Sequence, residues 1–168
     1  MFARTIRLAG AATALLAAHA GLAHAQMKAD AAKPAKLSWG PAPPSLPAGA
    51  KVAVVSGDPT KAGPFVLDIA MPNGYKVPPH FHPTAENVTV KSGTFLYGMG
   101  DKLDRKAMKP MKKGESGSIP ANMHHFAQAK GRTTVEVSST GPFVVNYVNP
   151  SEDPQKNVAQ KHTAKKKD

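Results

Sequence analysis

The stretch Gly74–Gly93, GYKVPPHFHPTAENVTVKSG, decides how the chain reads. His80 and His82 are separated by one residue, and Glu86 follows four positions later. In a strand, residues i and i+2 share a face, so both imidazoles enter one cavity while Phe81 points the other way. Glu86 has the same parity and shares its face with Val88 and Val90. A carboxylate on an apolar face must be paired, protonated or bound to a cation. Two neighbouring imidazoles favour the cation. Two histidines and a carboxylate on one side of an ion, with open positions, suit non-haem iron and related divalent metals.

Outward from this stretch the apolar period stays at two. Phe65, Leu67, Ile69 and Met71 share one face, with Val66, Asp68 and Ala70 on the other, which predicts a half-buried strand. Val52 and Val54 make another. Lys91-Ser92-Gly93 predicts a tight hairpin leading into Thr94–Met99. Asp101–Lys113 is lysine-rich and interrupted by Pro110, and it reads as a short helix or a loop. Gly114–Ile119 is a weak strand. Thr133–Ser138 and Phe143–Tyr147 add further strand faces. Near Pro120, His125 and Ala127 face one way and His124 and Phe126 the other. Eight or nine short strands separated by glycine and proline turns predict an all-β barrel or sandwich.

The two ends differ in kind. Arg4 and Arg7 precede an apolar run, Leu8–Ala23, that ends in Ala23-His24-Ala25. This is the pattern of a signal peptide cut after Ala25, and it predicts a periplasmic or secreted protein with no membrane insertion after cleavage. Residues 26–50 are rich in Ala, Lys and Pro and read as an extended arm or linker, with Trp39 docked on a neighbouring surface. Order is expected to begin near Lys51, giving a single domain over residues 51–150. A basic, flexible tail is expected over residues 151–168.

Composition removes several function classes. The chain has no cysteine, so disulfides, zinc-thiolate sites and cysteine nucleophiles are excluded. The net charge is +11, or +9 without Arg4 and Arg7. The excess is concentrated in Lys102–Lys113 and Lys156–Lys167, neither of which contains an aromatic residue. Single-stranded nucleic acid is usually held by basic grooves interleaved with stacking rings, so no nucleic-acid partner is expected.

A further ligand is expected from a distant strand, and His124 and His125 are the candidates. Here the residues resemble the cupin superfamily. Its first motif is Gly, five residues, His-x-His, three or four residues, Glu, six residues, Gly; Gly74, His80, His82, Glu86 and Gly93 match throughout. Its second motif is matched by Gly114, Pro120 and His125, with Asn122 in place of a glycine and Ala129 in place of the final asparagine. Asn tolerates the left-handed backbone that glycine would adopt there. The resemblance covers roughly Lys51–Val148. It implies a single-domain jelly-roll β-barrel and a homodimer. It also implies one divalent transition-metal ion (Fe, Mn, Zn, Cu or Ni) on His80, His82, Glu86 and His125. The activity implied first is a dioxygenase-type oxidoreductase on a small organic molecule. The alternatives are a metal-dependent isomerase or lyase, or a non-catalytic cupin that stores metal or captures a ligand. Phe65, Tyr97, Met99 and Phe126 are read as pocket or core residues. No acid, base or nucleophile separate from the ligands stands out.

Overall fold

The computed structural model describes residues 36–156. The expected signal peptide, the first part of the arm (residues 26–35) and the end of the basic tail (residues 157–168) lie outside the described residues. Alternation of apolar side chains produces nine strands here: β1 Gly40–Pro41, β2 Lys51–Ser56, β3 Gly63–Met71, β4 Lys76–Phe81, β5 Glu86–Met99, β6 Lys109–Lys112, β7 Ser116–Ile119, β8 His125–Gly141 and β9 Asn146–Tyr147. They form one curled antiparallel sheet of the jelly-roll type, in which β1-β2-β3-β8-β4-β9 are successive neighbours and β5 pairs with β6, β7 and β8.

Two long strands organise this sheet. β5 and β8 pair from Asn87↔Ser138 to Met99↔His125. The far half of β8 also pairs with β3, and its near half pairs with β4. The core lies between these strands, with Phe65 and Leu67 of β3, Val88, Val90 and Phe95 of β5, and Val135 and Val137 of β8 all buried.

Val88 and Val90 are even-numbered, whereas Phe95 is odd, yet all three are buried. A regular strand would turn Phe95 to the opposite face. The register shifts between Val90 and Thr94, a bulge that restores the inward direction. The expected hairpin at Lys91-Ser92-Gly93 is therefore corrected: the chain bends there without reversing. Gly93 has φ +77°, and a Cβ on it would lie 2.3 Å from the Arg132 carbonyl oxygen. A serine-glycine pair marks a bulge as readily as a turn, so local sequence does not separate the two.

The lysine-rich stretch is corrected as well. Lys109–Lys112 is a strand, β6, paired with Thr94–Tyr97. Pro110 is tolerated because β6 pairs only with β5, leaving its other side unpaired among the described residues.

Order also begins before Lys51. Gly40 and Pro41 pair with Val52 and Lys51, and the segment up to Ala50 forms a strap against the barrel. The Tyr75 hydroxyl donates to the Pro47 carbonyl at 2.6 Å, and the Tyr147 hydroxyl donates to the Ser45 carbonyl at 2.8 Å. Burial pushes the Tyr75 phenol up to about 12 and raises that of Tyr147, so both stay protonated donors at neutral pH. Trp39, expected to pin the arm, is 41% exposed. The two tyrosines hold the strap to the barrel.

Gly93→Ala is expected to cost about 1–3 kcal/mol in backbone strain, with the steric clash in addition. Gly131→Ala on β8 is the control, because its φ is also positive (+76°) but a Cβ there meets nothing within 4 Å. Urea denaturation should rank Gly93→Ala as clearly the less stable. Tyr75→Phe and Tyr147→Phe should each lower stability by about 1 kcal/mol, the net worth of one intramolecular hydrogen bond.

Candidate metal centre

Pro78 and Pro79 hold the chain extended before His80, because proline fixes φ and disfavours helix in the residue preceding it. His80 lies on β4 directly opposite His125, the first residue of β8. His82 follows the end of β4, and Glu86 opens β5. All four side chains are buried. The His80 and His125 rings lie 4.1 Å apart between centroids, and His82 lies 5.0 Å from His80 and 5.4 Å from His125.

Each imidazole is oriented by its own backbone acceptor. Nδ1 of His80 donates to the Pro78 carbonyl at 2.7 Å, that of His82 to Val144 at 2.8 Å, and that of His125 to Met123 at 2.9 Å. A carbonyl oxygen can only accept, so Nδ1 carries the proton, and the lone pair of a neutral ring resides on Nε2. One ligand nitrogen from each of the three rings lies within 4.8 Å of the others. Glu86 Oε2 lies 3.3 Å from His125 Nε2 and 3.6 Å from His82 Nε2. These spacings suit donors that share one ion at bonds of about 2.1 Å.

Electrostatics favour the neutral, ligating form. Burial and the neighbouring imidazoles of His125 and His82 hold the His80 pKa well below the ordinary imidazole range. Burial also lowers that of His82, against the opposing pull of the Glu86 carboxylate. His82 Nε2 is buried and has no hydrogen-bond partner. A buried polar atom without a partner is costly, and a metal ion would satisfy it. The donor set therefore fits a divalent transition metal: three histidines could bind it, with Glu86 beside them.

Asn122, standing where the motif has glycine, takes the left-handed conformation at φ 60°. Its amide donates to the His82 carbonyl at 2.8 Å, tying the second-motif turn to the ligand. His124 lies outside the cluster: it is half-exposed, pairs with Asp101 at 2.6 Å and stacks on Phe81 at 4.9 Å. Among the other singled-out residues, Tyr97 lines the cavity, Phe65 and Phe126 are buried, and Met99 is 45% exposed. Phe143, whose ring stacks on His82 at 4.2 Å, was not assigned to the site from sequence. The Val144 carbonyl was not legible either, because a backbone acceptor leaves no side-chain signature.

The ligands open into a cavity of about 490 Å3 inside the barrel. The fold and site together define an antiparallel jelly-roll with a buried histidine cluster at its interior. A family model described as "Cupin domain" matches residues 67–141, from within β3 to the end of β8. Residues 67–141 thus carry the sequence pattern of a cupin domain, and the fold is that of solved cupin structures. An RmlC-like cupin from Shewanella frigidimarina is 14% identical, with a TM-score of 0.50 over 62% of this chain and 84% of that one. The polyketide cyclase RemF from Streptomyces resistomycificus is 19% identical, with a TM-score of 0.52 over 66% of this chain and 78% of that one. Both likenesses concern the fold alone. No curated protein matches the sequence.

In the metal-free protein, His80 should make stability pH-dependent. The unfolded imidazole titrates near about 6.5, and the folded one only at lower pH. Between those values the unfolded chain binds the extra proton, so stability present above about 6.5 is lost as pH falls through that window. Denaturant midpoints at neutral pH should exceed those one to two pH units lower, and His80→Gln should reduce the difference.

Proposed function

We propose that the protein is an exported, metal-dependent enzyme acting on a small organic molecule held inside the barrel, with dioxygenase-type oxidation as its reaction class. His80, His82, Glu86 and His125 would hold one divalent transition ion. The observation that carries this reading is the set of three Nδ1–H bonds to backbone carbonyls, which directs three Nε2 lone pairs inward. When bound, the ion would polarise a substrate oxygen or activate dioxygen. The protein supplies the rest. Burial keeps His80 and His82 neutral. The carbonyls of Pro78, Val144 and Met123 hold the rings in place, as outer partners do for ligating histidines. Phe143 covers one face of His82. Aliphatic walls limit water around the reacting molecule.

Isomerase or lyase chemistry would use the same donors. Storage of metal alone is less well supported, because an ion needs no cavity of about 490 Å3 beside its ligands. The donor atoms do not select the ion. If the chain is exported unfolded, it meets metal outside the cytoplasm, where intrinsic affinity favours copper and zinc.

Elemental analysis of natively exported protein should find stoichiometric metal, and His82→Ala should lose it. Unchanged metal in that variant would overturn the assignment. Oxygen uptake with catechols, diketones or flavonols that follows metal content would support oxidation. Full occupancy without turnover would favour ligand capture or storage.

A further inference from the structure

Apart from the histidines and Glu86, the cavity wall carries no charge. Among the described residues that line it there is no lysine, arginine or aspartate, and Glu86 is the one carboxylate. The barrel side is aliphatic, with Leu67, Val135 and Val137 buried in the core. The strap closes another side with Pro43, Ser45 and Leu46. The volume of about 490 Å3 lies in the range of small-molecule sites, about 300–1,000 Å3.

We propose that the occupant is a neutral molecule with an apolar, ring-sized body, which presents an oxygen to the histidine–glutamate end and carries no charged group elsewhere. The oxygen end rests on the metal-centre reading above; the uncharged body rests on the walls. A phosphate, sulfonate, second carboxylate or ammonium placed away from the ligands would lose its water against aliphatic side chains and find no counter-charge. The strap contributes to this selectivity through Pro43, Ser45 and Leu46. The Tyr75 and Tyr147 hydroxyls hold it through the carbonyls of Pro47 and Ser45. The latch engages backbone, so the side chains of Ser45 and Leu46, the latter packed against the core, set the character of the wall without taking part in the latch itself.

The test is an equilibrium titration of full-length, zinc-loaded protein with two probes. One is a naphthol; the other is a hydroxynaphthalenesulfonate with its anion on the far ring. Zinc content is measured on the same sample. Naphthol should bind saturably, and the sulfonate should bind at least about tenfold more weakly. Ser45→Arg, which adds a cation to the strap, should narrow or reverse that preference while zinc content stays unchanged. Leu46→Trp, which fills the cavity, should weaken naphthol. Equal or tighter sulfonate binding overturns the proposal, as does absence of saturable naphthol binding on zinc-replete protein. An unchanged preference in folded Ser45→Arg overturns the strap's part in it. The wild-type comparison decides the main point even where a variant misfolds. Failure to take up zinc with the naphthol preference intact would remove the metal-centre reading and leave the uncharged pocket standing.

Discussion

Closure of the β5–β8 ribbon is the constraint on which the rest of the structure depends. Glu86 opens β5 and His125 opens β8, and the two strands run antiparallel. His125 pairs with Met99, at the opposite end of β5 from Glu86. On a flat ribbon those ends would be about 40 Å apart at about 3.3 Å per residue. Yet Glu86 Oε2 lies 3.3 Å from His125 Nε2. Only a sheet that has curled on itself can bring them together. The candidate metal centre is thus a consequence of closure, and so is the buried face that runs from Val88 to Phe95.

The bulge at Gly93 belongs to the same mechanism. Bulges increase local twist and bend the strand that carries them. Here the irregularity also resets parity, so that β5 presents apolar side chains inward on both sides of the bend. Gly131 on β8 has a positive φ in the matching region, and the chain between Lys130 and Thr134 is the longer side of the shift. One pair of backbone irregularities therefore serves both the core and the site.

Much of this was legible in the sequence because strand parity is a local property. His80, His82 and Glu86 share parity, and the structure brings them together with His125. Asn122 could be read as a stand-in for glycine because both tolerate the same backbone region. Three features were not legible, each for a reason of distance or ambiguity. Gly93 supplies a signal common to turns and bulges. Lys109–Lys112 has a composition that suits a loop, and only pairing with β5 makes it a strand. The strap has the composition of a linker, and its order comes from tyrosines far along the chain, Tyr75 and Tyr147, donating to carbonyls that no side-chain pattern reveals.

The division between ligands and walls has a physical basis. The ligand set needs fixed rings with their Nε2 atoms directed inward, and these follow from backbone acceptors supplied by Pro78, Met123 and Val144, while burial keeps His80 and His82 neutral. Such a set fits many divalent ions and several reaction classes. In the proposed function, selectivity among organic molecules would come from the surfaces that the ligands do not occupy. In this chain part of that surface is the strap, which lies ahead of the residues matched by the family model. It is attached by hydrogen bonds to its backbone, while Ala42, Leu46 and Ala50 pack against the core. The candidate ligands and the strap thus lie on separate segments of one barrel, the first brought together by closure and the second laid against it by Tyr75 and Tyr147.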